Sequence, residues 1–214
     1  MNKAEEHINK GTTTVGIVCK EGIVLGADKR VTLGGAYVSH KSFDKVYKIT
    51  ENLAITTAGT VSDVQLITKL IKAELSLRRI RTGSDATVRE AANLFSGIVY
   101  QNIRKFSPIL GVTGFLLGGK DRSGFALYEI GPDGSVMLHE KYAVDGSGMM
   151  MCWGVLDTLY KPDLSISEGT DLAVKTISAA MQRDTATGEG IDIVTITKDG
   201  VKKVLTKIVE SKLS

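Results

Sequence analysis

Hydrophobic and polar positions change period several times along the chain, and each change marks an element. Residues 12–19 (TTTVGIVC) and 23–28 (IVLGAD) are short apolar runs around Lys20-Glu21-Gly22, which predicts two strands joined by a tight turn. Lys29 to Ser42 is turn-rich and includes Gly34-Gly35. Lys45 to Ile49 alternates polar and apolar like a half-buried strand, and Leu53 to Ala58 follows as another, ending at Gly59. The period then lengthens. Val64, Ile67, Ile71 and Leu75 share one helical face through to about Arg81, and Thr82-Gly83 breaks the pattern. Thr87 and Glu90 have the spacing of a capping box, opening a second helix that runs to about Phe106. Strand-like runs come next at 111–118, 124–130 and 135–144, with the turn Gly131-Pro132-Asp133-Gly134 between the last two. After Gly146-Ser147-Gly148 the pattern predicts a short apolar helix over 149–160. A second capping box, Ser165 to Glu168, opens a helix to about Arg183. Ile191 to Thr197 reads as a strand, with 201–207 returning beside it.

The order is strands, two helices, strands, two helices, strands. That is not the βαβα alternation of a doubly wound sheet. It predicts an α+β fold of two antiparallel sheets with the helices segregated outside them.

Composition narrows the picture without redirecting it. With 214 residues, 43% hydrophobic and 24% charged, the chain suits a single soluble domain with a sizeable core. Three prolines and no low-complexity tract argue against a linker or a second domain. A net charge of +3 from scattered Lys and Arg gives no reason to expect nucleic acid. Cys19 and Cys152 are too far apart for a metal motif and suggest no disulfide framework. The opening MNKAEEHINK is polar, unlike a signal peptide, and no run approaches the ~18 apolar residues of a membrane span. The setting expected by default is reducing and cytoplasmic, with no membrane.

Several familiar chemistries fail on inspection. Gly114 to Lys120 has the glycine and lysine spacing of a phosphate-binding loop, but Asp121 stands where the magnesium-binding hydroxyl belongs and another strand follows, so a hairpin turn is expected there. Gly146-Ser147-Gly148 lacks the wider spacing of a nucleophile elbow, and no histidine lies after His139. Neither HExxH nor any paired His/Cys spacing occurs, so metal catalysis is not expected. What remains is Gly11-Thr12-Thr13-Thr14-Val15-Gly16-Ile17. A threonine hydroxyl is a weak nucleophile and needs a base within reach. An N-terminal threonine carries its own, because a free α-amine titrates at about 7.7–8.0. Cleavage after Gly11 would create that amine, and a residue without Cβ at the junction leaves room for the hydroxyl to approach the carbonyl. A threonine run also opens many strands, and these seven residues alone favour that plainer reading.

Thr12, Asp28, Lys45, Gly59, Ser147 and Asp184 are each unremarkable alone, but together the motifs GTTTVG at 11–16, ADKRVT at 27–32, TAG at 57–59, GSG at 146–148 and QRDTATG at 182–188 strongly resemble the β subunits of the proteasome. The resemblance spans essentially residues 11–205, and the short leader is similar to archaeal-type subunits. It implies the four-layer αββα sandwich of the N-terminal-nucleophile hydrolases and a threonine endopeptidase. Residues 1–11 would be a propeptide removed autocatalytically, and 12–214 the catalytic domain. Thr12 would be the nucleophile with its freed amine as proton acceptor. Lys45 would sit beside the hydroxyl, oriented by Asp28, and the Gly59 amide would face the oxyanion. Ser147 and Asp184, with Thr187, would complete the network around the new N-terminus. Thr32 and Gly59 would hold substrate as an extended strand, and Val31, Thr57 and Val61 would line an apolar specificity pocket.

The implied partners are α subunits and other β subunits in four stacked heptameric rings (α7β7β7α7), a regulatory ATPase ring, and unfolded polypeptides. No cofactor is implied. Two departures from the family pattern stand out. The loop His40 to Lys45 is one residue longer, so Lys45 is identified from the strand that follows it. Thr185 and Thr187 replace the usual serines. Two alternatives stand beside the active reading: a non-catalytic or conditionally processed ring subunit, and the shorter subunit of the simpler bacterial double-ring protease.

Overall fold

The computed structural model describes residues 11–33, 37–108 and 111–209; all of the leader expected at 1–11 except Gly11 lies outside them. In chain order the strands and helices are β1 (Thr13–Cys19), β2 (Gly22–Asp28), β3 (Val31–Leu33), β4 (Tyr37–His40), β5 (Val46–Lys48), β6 (Leu53–Gly59), α1 (Val61–Thr82), α2 (Val88–Arg104), β7 (Thr113–Asp121), β8 (Gly124–Ile130), β9 (Val136–His139), β10 (Tyr142–Gly146), α3 (Met149–Leu159), α4 (Ile166–Met181), β11 (Gly190–Thr197) and β12 (Gly200–Ile208). One antiparallel sheet has the order β10-β1-β2-β11-β12 and the other β5-β6-β7-β8-β9, with β3-β4 as a separate hairpin.

Three apolar interfaces account for four layers. Ile67 and Ile71 of α1 and Phe95 of α2 pack on Ile55, Phe115 and Leu117, the outer face of the second sheet. Cys152 and Leu156 of α3 and Ile177 of α4 pack on Val15, Ile17 and Ile193, the outer face of the first. Between the sheets, Ile23, Leu25 and Ala27 meet Ala54, Leu116 and Leu127. The rings of Phe95 and Phe115 lie 5.4 Å apart at 55°, and burying each such side chain contributes roughly 1.5–3 kcal/mol. Because both faces of the central strands are buried, β1 and β2 read as nearly continuous apolar runs rather than alternating ones. At Gly16 the sheets approach so closely that a Cβ would lie 2.7 Å from Leu127 Cδ1.

Both capping boxes form: the Thr87 and Ser165 side chains accept the amides of Glu90 and Glu168, whose carboxylates return the contact to the N-cap amides. Each contributes about 1 kcal/mol to its helix. Gly83 ends α1 in a left-handed conformation, donating its N–H to the Arg79 carbonyl. Among the described residues, no helix is long and apolar enough to cross a membrane.

The pattern misleads in three places. The single run expected at 135–144 is two strands in different sheets, β9 on β8 and β10 on β1. The chain crosses between sheets at Glu140-Lys141, and apolar residues on both sides hide the change of partner. Gly114 to Lys120 is extended inside β7, hydrogen-bonded to β6 and β8, so the hairpin turn lies beyond it. The turn-rich stretch before Lys45 contains β3 and β4. All four residues of β4 are exposed, Tyr37 by 74%, so no burial pattern betrays it.

Candidate active site

The ends of strands from both sheets meet at one point. Thr12 immediately precedes β1, Asp28 ends the adjacent β2, and Ser147 follows β10 on the other side of β1. From the second sheet come Lys45, just before β5, and Gly59, the last residue of β6. Asp184 lies just beyond α4, where its amide still donates to the Ala180 carbonyl.

Asp28 is fully buried and fully satisfied. Its Oδ1 accepts the Thr13 amide at 2.9 Å and the Lys45 ammonium at 2.7 Å. Its Oδ2 accepts the amides of Arg30 at 3.0 Å and Gly188 at 3.1 Å. Four donors, three of them backbone, stabilise a charge that burial would otherwise penalise. Burial drives the Lys45 pKa down, against the charge and hydrogen bond of Asp28 and the field of Asp184, while Arg30 adds to the depression. The result is an ammonium held below the ordinary lysine range, next to Thr12.

Thr12 itself is buried, with its hydroxyl donating to the Gly11 carbonyl oxygen at 2.7 Å. Its amide donates to Ser147 Oγ at 3.2 Å. The hydroxyls of Ser147 and Thr187 both donate to Asp184 Oδ2, and Thr187 Oγ1 lies 2.6 Å from Thr13 Oγ1. Asp184 is thus the hub on one side of Thr12-Thr13, as Asp28 is on the other. The extra methyl at Thr187 is accommodated without removing its hydroxyl from the network. Thr185 contributes instead its carbonyl, which accepts from Arg30 Nη1 at 2.7 Å. The loop carrying these groups is shaped by Asp184, whose Oδ1 accepts the Ala186 amide at 3.1 Å.

Two glycines are required by conformation and by space. Gly146 has φ +97°, and a Cβ there would lie 2.1 Å from the Thr12 carbonyl oxygen. Gly59 has φ +109°, and its Cβ would lie 2.1 Å from the Val112 oxygen.

A cavity of about 20 Å³, room for roughly one water, adjoins Gly11 and Thr12 and is lined by Val31, Thr57 and Val61. Lys45 and Gly59 reach it too, as do Phe43 and Val64, which sequence reasoning did not assign to it. Val64 reads only as a helix-face residue, and Phe43 carried no signal at all. A neighbouring groove of about 310 Å³ shares Val31, Phe43 and Val61 and adds Thr32 and His40. Thr32 Oγ1 accepts the Gly11 amide at 3.3 Å. The thiols offer no competing nucleophile: burial pushes Cys19 up to about 11 and Cys152 to about 12.

Asp145 is a neighbour that the sequence did not reveal. It pairs with Thr14 across β10 and β1, accepts the Gly146 amide at 2.7 Å, and faces Gly114, where a Cβ would lie 2.3 Å from its Oδ2. Burial raises its pKa to about 6, opposed by the Gly146 amide and helped by Glu129. A carboxyl whose folded pKa exceeds its unfolded value near 3.9 loses stability as pH rises between the two, and the loss is complete above the folded value. Asp145→Asn is therefore expected to be more stable than the parent at pH 8 by about 2–3 kcal/mol. The gain should shrink progressively below pH 6. Urea midpoints at pH 5 and pH 8 measure this, and a pH-independent difference would remove the assignment.

The layered arrangement is that of the N-terminal-nucleophile hydrolases, in which a strand-opening residue sits at the mouth of two packed sheets. A family model described as "Proteasome subunit" matches residues 8–196. "Proteasome subunit beta" of Archaeoglobus fulgidus is 41% identical over 199 residues, covering 93% of this chain and 91% of that protein. "Proteasome subunit beta 2" of Pyrococcus furiosus is 43% identical over 194 residues, 91% of each chain. "Proteasome subunit beta" of Archaeoglobus profundus is 38% identical over 214 residues, 100% of this chain and 97% of that protein. The chain belongs to the proteasome subunit family.

Proposed function

We propose that this chain is a catalytic β subunit of a proteasome core, a threonine endopeptidase activated by cleavage of its own Gly11–Thr12 bond. The observation that carries this is the Thr12 hydroxyl, 2.7 Å from the carbonyl oxygen of that bond and beside the buried Lys45–Asp28 pair. In self-cleavage, Thr12 Oγ1 adds to the Gly11 carbonyl carbon, and the C–N bond breaks as the hydroxyl proton passes to the nitrogen. Water then hydrolyses the resulting ester, releasing the leader as a carboxylate and leaving Thr12 with a free α-amine. That amine accepts the hydroxyl proton when a substrate carbonyl arrives, and later delivers it to the leaving amine. Lys45 stabilises negative charge developing at Thr12 Oγ1, and the Gly59 N–H donates to the substrate oxyanion. Ser147 and Asp184, with Thr187, hold the amine through the hydroxyl–carboxylate network. Thr32 and Gly59 bind the substrate main chain in extended form. Val31, Thr57 and Val61 favour an apolar side chain before the scissile bond.

Family membership implies assembly with other proteasome subunits. Stacked heptameric rings with α subunits, an ATPase feeding unfolded chains, and a cytoplasmic location follow from the same reading. Apolar residues left exposed on α1 (Leu66, Leu70, Ile80) and α3 (Met150, Trp153, Leu159) support a subunit with neighbours. Coexpression with the cognate α subunit, followed by intact-mass and N-terminal analysis, tests the proposal. A chain beginning at Thr12 that cleaves apolar fluorogenic peptides faster than acidic ones is expected. A persistent Met1 start without peptidase activity would mean a non-catalytic subunit.

A further inference from the structure

Lys29 directly follows Asp28, yet its side chain serves a different set of partners. Its ammonium lies 2.7 Å from Asp192 Oδ2 on β11 and 2.8 Å from Asp44 Oδ1, one residue before Lys45. Lys29 is 3% exposed and Asp192 2%, whereas Asp44 is 58% exposed. Lys203 of β12 supports the same acids from outside, 3.1 Å from Asp192 and 3.5 Å from Asp44, and the Thr206 hydroxyl donates to Asp192 Oδ1 at 2.8 Å. Burial pulls the Lys29 pKa down, but hydrogen bonds and charge from Asp192 and Asp44 more than offset this, so the net shift is upward and the group stays charged.

The main chain of Lys29 grips the same loop. Its carbonyl accepts the Phe43 amide at 3.1 Å, and its own amide donates to the Gly188 carbonyl at 3.1 Å. One residue therefore holds Phe43 through its backbone and Asp44 through its side chain. Those two positions lead straight into Lys45, whose ammonium must reach across from one sheet to Asp28 on the other. Phe43 also forms a wall of the cavity beside Thr12. On the chain side away from Lys29, Lys45 is held by its carbonyl, which accepts the Thr57 amide at 3.0 Å.

We propose that Lys29 is a positioning residue of the active site: its clamp on Phe43 and Asp44 sets both the Lys45 ammonium against Asp28 and the Phe43 ring against the substrate. This rests on the catalytic reading of Thr12 and Lys45 given above. Displacement of a catalytic group by about 1 Å can reduce turnover on the order of 100-fold. The clamp thus ties turnover and side-chain selectivity to one buried cation that itself touches no substrate.

The test uses the particle coassembled with α subunits, with rates referred to titrated active sites. Lys29→Met should lower kcat for an apolar fluorogenic peptide by roughly 10- to 100-fold and raise its KM. Asp44→Asn, at an exposed position that leaves Lys29 on Asp192, should show a smaller loss of the same kind. Lys29→Arg should recover part of the lost kcat. Lys203→Met, which removes a charge from the same acids but leaves the Lys29 ammonium on Asp44 and Asp192, should retain parental kcat and KM. If the parent cleaves peptide but Lys29→Met matches it per active site, the clamp is overturned and the catalytic reading stands. Equal losses in Lys29→Met and Lys203→Met would likewise overturn it, since a general loss of stability would then suffice. An inactive, unprocessed parent would overturn the catalytic reading, and the clamp with it.

Discussion

Thr12→Ala is expected to abolish both self-cleavage and peptide hydrolysis while leaving the fold intact. The substitution removes one hydroxyl, whose hydrogen bond is to the neighbouring Gly11 carbonyl. Its effect on stability should stay within about 1 kcal/mol, the net value of a typical internal hydrogen bond. Loss of a covalent nucleophile, in contrast, lowers turnover by a factor on the order of 10⁴–10⁶. The Thr12 amide and its contact with Ser147 persist, so the precursor should assemble normally. Mass spectrometry should find the chain uncut after Gly11, and fluorogenic peptides should remain intact. Measurable cleavage by the purified variant would remove Thr12 as the nucleophile. Thr12→Ser supplies the complementary case: it keeps the oxygen but loses the β-methyl that restricts χ1, so processing should persist at reduced rate.

The two halves of the Lys45–Asp28 pair should fail differently. Lys45→Ala takes one of four donors from Asp28, and the amides of Thr13, Arg30 and Gly188 remain. The variant should fold, yet lose activity by about 10²–10⁴-fold, the usual contribution of a positioned proton-transfer or charge-stabilising group. Asp28→Ala leaves a buried ammonium without its partner, which costs on the order of 3–5 kcal/mol. It also frees three backbone amides at the junction of β1, β2 and the 184–188 loop. This variant should therefore be lost chiefly as folded protein, and whatever folds should carry a neutral Lys45. Urea midpoints and activity per folded chain separate the two outcomes. Full activity in Lys45→Ala would show that the longer loop had been aligned to the wrong lysine.

The helices are legible in the sequence because their signals are local, whereas the site residues are singled out only by their joint resemblance to a known family. The capping boxes at Thr87 and Ser165 need four consecutive residues each, and α1 follows from the helical recurrence of Val64, Ile67, Ile71 and Leu75. Within that resemblance, the alternating strand after it places Lys45 despite the lengthened loop. The unread parts depend on contacts between distant segments. Glu140-Lys141 sends β10 to another sheet, but nothing in the run 135–144 distinguishes β8 from β1 as a partner. Phe43 joins the cavity because the 41–45 loop folds under Lys29, and the acids answering Lys29 are 15 and 163 residues away. Asp145 looks like an ordinary turn former until Gly114 is seen opposite it.

Gly11 carries a consequence for chemical probes of this protein. A Cβ at that position would lie 1.6 Å from the Ala186 Cβ, so no side chain fits at residue 11. Under the proposed activity, substrates of the processed chain would instead present a side chain to the cavity lined by Val31, Phe43 and Val61. On the proposed reading, the bond cut within the chain carries no side chain at this position, whereas the bonds cut in substrates would. A peptide copied from residues 1–11 would be a poor template for an inhibitor; an extended ligand with a bulky apolar residue ahead of its electrophile suits the processed site better.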